Sequence, residues 1–313
     1  MSDERLERAI GIKTVLAFAA IYVLWGSTYL AIRTTVATTP PLFAAGVRFV
    51  VAGIVLYLWS WARSAPSPSI LEWRNLIILA SVMFLAPYAG LFWAERTLPS
   101  GVASILVATI PVWTLLLEVF VFRMTRFHVQ SALAVLAGIG GVLLVAISQG
   151  KEAGALSIFA CLAILGSELS WSFGTVLSKR LVLPVSHTVS AGAQMTSGGL
   201  MLLISSLLAG ELIPFPRIEA KAVLATAYLI VAGSIVAFTS YLWLLARMSP
   251  TRVASYAYVN PVVALALGCW LGNETIHITT IIGAFFIVGS VSLIVASKSV
   301  RRELVGVETH VRN

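Results

Sequence analysis

The sequence predicts an all-α polytopic membrane protein with ten transmembrane helices arranged as two inverted five-helix repeats. Three observations carry this expectation. The chain is 59% hydrophobic and only 11% charged, with a mean hydropathy of +0.95, whereas a soluble domain carries roughly 25% charged residues. Apolar runs of roughly 20 residues, enough for a helix to cross a bilayer, recur along its whole length. The third observation is that the chain is written twice. Trp25, Gly26, Arg33, Ala45, Gly46 and Gly53 recur as Trp171, Ser172, Lys179, Ala191, Gly192 and Gly199. Further on, the run from Arg96 to Ser104 recurs from Arg247 to Ser255. Such internal symmetry in an apolar chain is a mark of membrane carriers.

Taken in order, the spans are expected near residues 14–36, 42–62, 74–94, 100–122, 129–148, 155–178, 187–209, 222–246, 252–272 and 278–297. The connections between them are short and hold the turn-forming residues, among them Pro40, Pro41, Pro99, Gly150, Pro184, Pro250 and Asn273. The first span follows a charged start and is too long for the core of a cleaved signal. The expected organisation is a first repeat over 1–150, a second over 151–298, and a short charged tail over 299–313.

Lys and Arg set the expected orientation. With the N-terminus in the cytoplasm, that side collects fifteen of them, from Arg5 and Arg8 to Arg302 and Arg312. The other side collects four, Arg96, Lys151, Arg217 and Lys221, and Arg33 and Arg48 fall within spans. The bias places both termini in the cytoplasm. Five spans per half is an odd number, so the second half enters the membrane upside down relative to the first. That arrangement creates a pseudo-two-fold axis in the membrane plane. One central site then becomes reachable from either side by similar motions of the two halves.

The formal charge of +8 is accounted for by these loop residues, and no basic patch with interleaved aromatics points to nucleic acid. Cys161 and Cys269 lie inside apolar runs without metal-ligand spacing and read as small buried hydrophobes. No metal or cofactor is expected. Nor is an enzyme: the four histidines lie at loops or span ends, so the spans hold no base for an intramembrane lipid-modifying enzyme.

Pro111 and Pro261 fall near the middle of spans four and nine. A proline there frees a carbonyl, which lipid tolerates only where neighbours or a cavity satisfy it. The pair reads either as hinged, cavity-lining helices or as static kinks. Tyr256 and Asn260 share a helix face ahead of Pro261 and should point inward, to a cavity or to a neighbouring helix. Small-residue ladders, Gly166-Ser170-Gly174 and Ala264-Gly268-Gly272, read as helix contacts.

Charges within spans are the sharpest candidates, because each costs at least ~2.5 kcal/mol at the bilayer centre. Glu168 lies near the middle of span six, and Arg48 lies inside span two, where the second half carries Gln194. They read either as a substrate or proton site or as a charge pair or hydrogen-bond network joining helices. Arg33 and Glu95 fall near span ends, where the penalty is smaller. Trp25, Tyr29, Tyr88, Trp171 and Tyr241 complete the candidate lining, with Trp25 and Trp171 related by the repeat.

These residues resemble the EamA-type family of the drug/metabolite transporter superfamily, and among its members the YedA-like inner-membrane branch. The resemblance rests on Trp25-Gly26-Ser27-Thr28-Tyr29 with Arg33, Pro40-Pro41 leading to Ala45-Gly46-Val47-Arg48-Phe49, Pro99-Ser100-Gly101, and Ser255 to Val263. Leu271-Gly272-Asn273-Glu274 is similar to that family's acidic turn, which the first half lacks at Arg123-Met124-Thr125. The resemblance implies a secondary transporter that moves small metabolites, amino acids or related compounds among them, outward across the inner membrane. A passive channel is the nearer alternative, and an intramembrane enzyme the more distant one. Proton coupling, oligomeric state and substrate stay open.

Overall fold

The computed structural model describes residues 12–124, 133, 135–145, 155–213, 217–248 and 253–290. Among them every regular element is a helix. Seven helices are long and apolar enough to cross a membrane: α1 (Ile12–Val36), α2 (Pro41–Ala62), α3 (Ile70–Ala94), α4 (Ser100–Val121), α6 (Ala155–Leu177), α7 (His187–Leu208) and α8 (Ala220–Arg247). Three shorter apolar helices complete the described chain: α5 (Val135–Val145), α9 (Tyr256–Leu271) and α10 (Ile278–Ser290). Parts of the expected spans five, nine and ten lie outside the described residues, as do Gly150, Pro250 and the tail over 299–313.

Local chemistry explains the boundaries. Pro41 opens α2, where its missing N–H is not needed. Ser69 and Glu72 form a reciprocal capping box at the start of α3. Helices α4 and α9 end in the same way. Arg123 and Asn273 both sit at φ 51°, beyond helix ends that most side chains cannot turn. The amide of Met124 then donates to the Glu118 carbonyl at 2.7 Å, and that of Glu274 to the Gly268 carbonyl at 3.0 Å.

The repeat extends to irregularities within helices. Short π-helical turns occur at Ser81–Leu85 in α3 and Leu229–Val236 in α8, corresponding places in the two halves. Others lie at Ala20–Leu24 and Leu117–Val121. The strain of freed backbone groups is tolerated where partners exist.

Helices α2 and α7, related by the repeat, cross antiparallel along four glycines. A Cβ on Gly192 would stand 2.8 Å from the Tyr57 amide nitrogen, and one on Gly199 would stand 2.6 Å from that of Val50. Their backbones therefore touch, which only small residues permit. The same holds for α5 and α10, where a Cβ on Gly141 would stand 2.7 Å from the Gly283 carbonyl oxygen. Packing of α6 on α3 uses Ser170, whose hydroxyl donates to the Val82 carbonyl at 2.7 Å, and Gly174, which lies against Met83. Gly166 is the exception in its ladder, since nothing lies within 4 Å of the place its Cβ would take. Cys161 is buried as expected, but Cys269 is exposed on the outer face of α9, and both are free thiols. Nine residues beyond Asn260, about two and a half turns, Cys269 lies on the opposite side of the helix from that residue.

Candidate functional site

The helices α1, α2, α3, α6 and α9, with the break in α4, surround a central cavity. It leaves about 60 Å³ open to the centre of a water-sized sphere, room for several water molecules or a small polar ligand. Its walls include Trp25, Tyr29, Arg48, Tyr88, Glu168, Trp171, Tyr256 and Asn260, with Thr28, Val107 and Ile110. Eight of the nine candidate lining residues therefore converge on one space. The ninth, Tyr241, stands a layer behind: it packs on Trp171 at 5.8 Å between ring centroids, and its hydroxyl lies 3.3 Å from that of Thr175.

Proline explains the break in α4. The helix stops at Val107, turns through Ala108 and Thr109, and restarts at Ile110 with Pro111 in its first turn. The residues flanking this break, Val107 and Ile110, face the cavity. The Ile110 carbonyl accepts a bond from Ser172 at 3.2 Å. In α9, by contrast, the helix runs through Pro261 without stopping. Neither proline lines the cavity itself; each acts on the backbone beside it.

The aromatic wall is built around the repeat-related tryptophans. Trp25 and Trp171 meet edge to face at 6.2 Å. Trp25 also packs on Tyr256 at 5.0 Å, and its indole N–H donates to the Gly233 carbonyl at 3.0 Å. That carbonyl belongs to the π-helical turn of α8, so the tryptophan satisfies a backbone group which the irregular helix leaves free. Asn260 serves α1 in the same manner. With its amide nitrogen turned toward them, it reaches the carbonyls of Ile21 and Tyr22 at 3.2 and 3.0 Å; the network, not the side-chain shape, decides this orientation.

Arg48 is 2% exposed and has no carboxylate partner within 4 Å among the described residues. Its Nε donates to Ser234 at 2.9 Å, while its guanidinium lies over Phe49 at 4.7 Å and Tyr88 at 5.3 Å. Nη1 has no partner. A buried cation satisfied on one edge and resting on aromatic faces presents its other edge to an acceptor. Glu168 is 5% exposed on the same cavity and makes no ion pair among the described residues. Among the described residues Arg48 and Glu168 do not pair with each other, while the bond from Arg48 to Ser234 joins α2 to α8.

One end of the bundle is stitched by acids. Arg33, at the end of α1, pairs with Glu274 at 2.8 Å, and Glu274 also accepts from the amides of Ser100 and Gly101 at 2.9 and 3.2 Å. It thus covers the N-terminus of α4, where the helix dipole favours a negative charge. Glu211 does the same for α2, accepting from Leu42 and Phe43 at 3.2 and 3.0 Å. Sequence reading had no signal for these partners beyond the acidic turn itself. The opposite end has an opening of about 160 Å³ lined by Lys179, Gln194 and Ala246 among others. Lys179 there donates to the Leu245 carbonyl at 2.9 Å, and burial pushes its ammonium below the ordinary lysine range. No cluster of metal ligands occurs among the described residues.

A multi-pass helical bundle around a polar-aromatic cavity is the architecture of a membrane transporter. The chain belongs to the EamA-like transporter family, which it matches over residues 12–147 and again over 158–296. It is 37% identical to the inner membrane transporter YedA of Escherichia coli K12, across 83% of each chain. It is 27% identical to a transporter of Synechocystis across 90% of each chain, and 29% identical to the protein PecM of Dickeya dadantii across 89% of this chain and 93% of that one. A crystal structure 19% identical to it superposes with a TM-score of 0.63, covering 90% of this chain and 96% of that one, which shows the shared fold. The relatives from Escherichia coli and Synechocystis are transporters by name.

Proposed function

We propose that the protein is a secondary carrier that binds a small metabolite bearing a carboxylate, an amino acid or a related compound, in the central cavity. We read the two halves, 1–150 and 151–298, as inverted five-helix repeats in the inner membrane, with both termini in the cytoplasm. Transport then proceeds by alternating access, outward in the cell.

The single observation that carries the substrate reading is Arg48. A fully buried guanidinium without a carboxylate, with one nitrogen unpartnered on a cavity wall, calls for an anionic ligand. Glu168 on the same cavity offers an acceptor for an ammonium group. Trp25, Tyr29, Tyr88, Trp171, Tyr256 and Asn260 supply apolar faces and a few fixed polar atoms, the usual composition of a small-molecule site.

The stitched end supports a carrier over a passive channel, since Arg33 and Glu274 hold shut one way out of the cavity. Counter-flow in proteoliposomes tests this. Vesicles loaded with a mixture of unlabelled amino acids should take up at least one labelled amino acid against its gradient, and Arg48→Ala should abolish the exchange. Equal, non-saturable flux with and without internal substrate would contradict the carrier reading.

A further inference from the structure

Glu95 follows the last residue of α3 and is 1% exposed, yet among the described residues neither of its carboxylate oxygens makes a hydrogen bond of ordinary geometry, the backbone of Arg33 standing near it. The neighbouring acids at the same end behave differently, because Glu211 and Glu274 both accept from backbone amides. An ionised carboxylate removed from water and given no donor is strongly disfavoured, and the group holds a proton instead.

Its position joins two parts of the molecule. The charged and titratable groups acting on it are Arg33 and Tyr29 from α1, Arg48 from α2, and Glu274 beyond the end of α9. Tyr29 and Arg48 line the cavity, while Arg33 and Glu274 form the closure. Arg33 is 39% exposed and Glu274 only 4%, so the arginine is the mobile, water-facing member of the pair.

The repeat sharpens the point. The residues corresponding to Arg33, Arg48 and Glu95 in the second half are Lys179, Gln194 and Ala246, and Met124 stands for Glu274 in the first. Where those three substitutes meet, a cavity of about 160 Å³ takes the place of an ion pair among the described residues. Glu95 and Glu274 thus have no acidic counterpart at the repeat-related positions of the other end.

We propose that Glu95 is a proton-binding site that controls this closure. It keeps its proton while Arg33 is held by Glu274. When that end opens, water reaches Glu95, the proton passes to water, and the carboxylate left behind is met by Arg33. The inference rests on the carrier reading only in requiring that this end opens.

The test needs no substrate. Ser100, buried at the closure, is replaced by Cys in full-length protein carrying Cys161→Ala and Cys269→Ser, held in lipid nanodiscs. Its labelling by a polar maleimide is followed against pH and normalised to the rate in the denatured chain. Labelling should rise with pH, by up to about tenfold per unit for a one-proton transition. It should be slow and flat in Glu95→Gln and pH-dependent again in Glu95→Asp. In protein with its natural cysteines and Ser100, the infrared absorption of protonated carboxyl groups at neutral pH should fall in Glu95→Gln. An unchanged pH profile in Glu95→Gln, a flat profile in the parent, or an unchanged carboxyl band would each overturn the proposal. Failure of amino-acid counter-flow would leave this result standing, and failure here would leave the carrier reading standing.

Discussion

Gly233 leaves the room that Arg48 occupies. A Cβ on Gly233 would stand 2.8 Å from Nη2 of the guanidinium and 2.7 Å from Cγ2 of Thr28. The same glycine offers its carbonyl to Trp25. One small residue in the π-helical turn of α8 therefore sets the position of both the cavity's cation and its central tryptophan.

Gly233→Ala follows directly. The added methyl must push the guanidinium off its seat on Ser234, an overpacking cost of about 1–3 kcal/mol. Ligand affinity should fall at least tenfold although residue 233 does not line the cavity. Equilibrium binding to the purified variant checks this, and unchanged affinity would show that Arg48 is not held where the ligand needs it.

The glycines of the helix crossings divide into two kinds. Gly192→Ala sets a methyl against backbone atoms of Tyr57 and Gly53 that cannot rotate away, and should destabilise by about 1–3 kcal/mol. Gly166→Ala meets nothing within 4 Å and should be neutral or stabilising by about 0.5–1 kcal/mol, through the lower backbone freedom of alanine. Chemical unfolding in mixed micelles measures the two side by side.

The Arg33–Glu274 pair is unequal. Removing the arginine leaves Glu274 with two amide partners, whereas removing the acid orphans the amides of Ser100 and Gly101 together with the cation. Glu274→Ala should therefore cost about 1–3 kcal/mol more than Arg33→Ala. Thermal unfolding of both variants in detergent should place Glu274→Ala clearly lower; the reverse order would contradict the capping role given to Glu274.

Much of this architecture is legible in the sequence because it is periodic and repeated. The tryptophans at 25 and 171, the paired turn prolines and the apolar runs place the helices and bring eight of the nine named residues to one cavity. The long-range work of the acids is not legible. Glu274 meets the amides of Ser100 and Gly101 and the guanidinium of Arg33 across separations of up to 241 residues, and no local pattern encodes such a partner. Nor does sequence distinguish Tyr241 from Tyr256: both are aromatic residues on inward faces, their rings meet at 6.4 Å, and only Tyr256 reaches the central cavity. The isolation of Arg48 from Glu168 was equally hidden, since two buried charges of opposite sign read as naturally paired as separate.

The most direct measurement is ligand-induced thermal stabilisation of the purified wild-type protein beside Arg48→Gln, a change that copies Gln194 from the second repeat. The panel is weighted toward amino acids and small carboxylates. A ligand at 100 times its dissociation constant should stabilise the wild type by about 2.7 kcal/mol and leave the variant unmoved. Equal stabilisation of both proteins by the same ligand would contradict the assignment of Arg48 as the anchor of the substrate carboxylate.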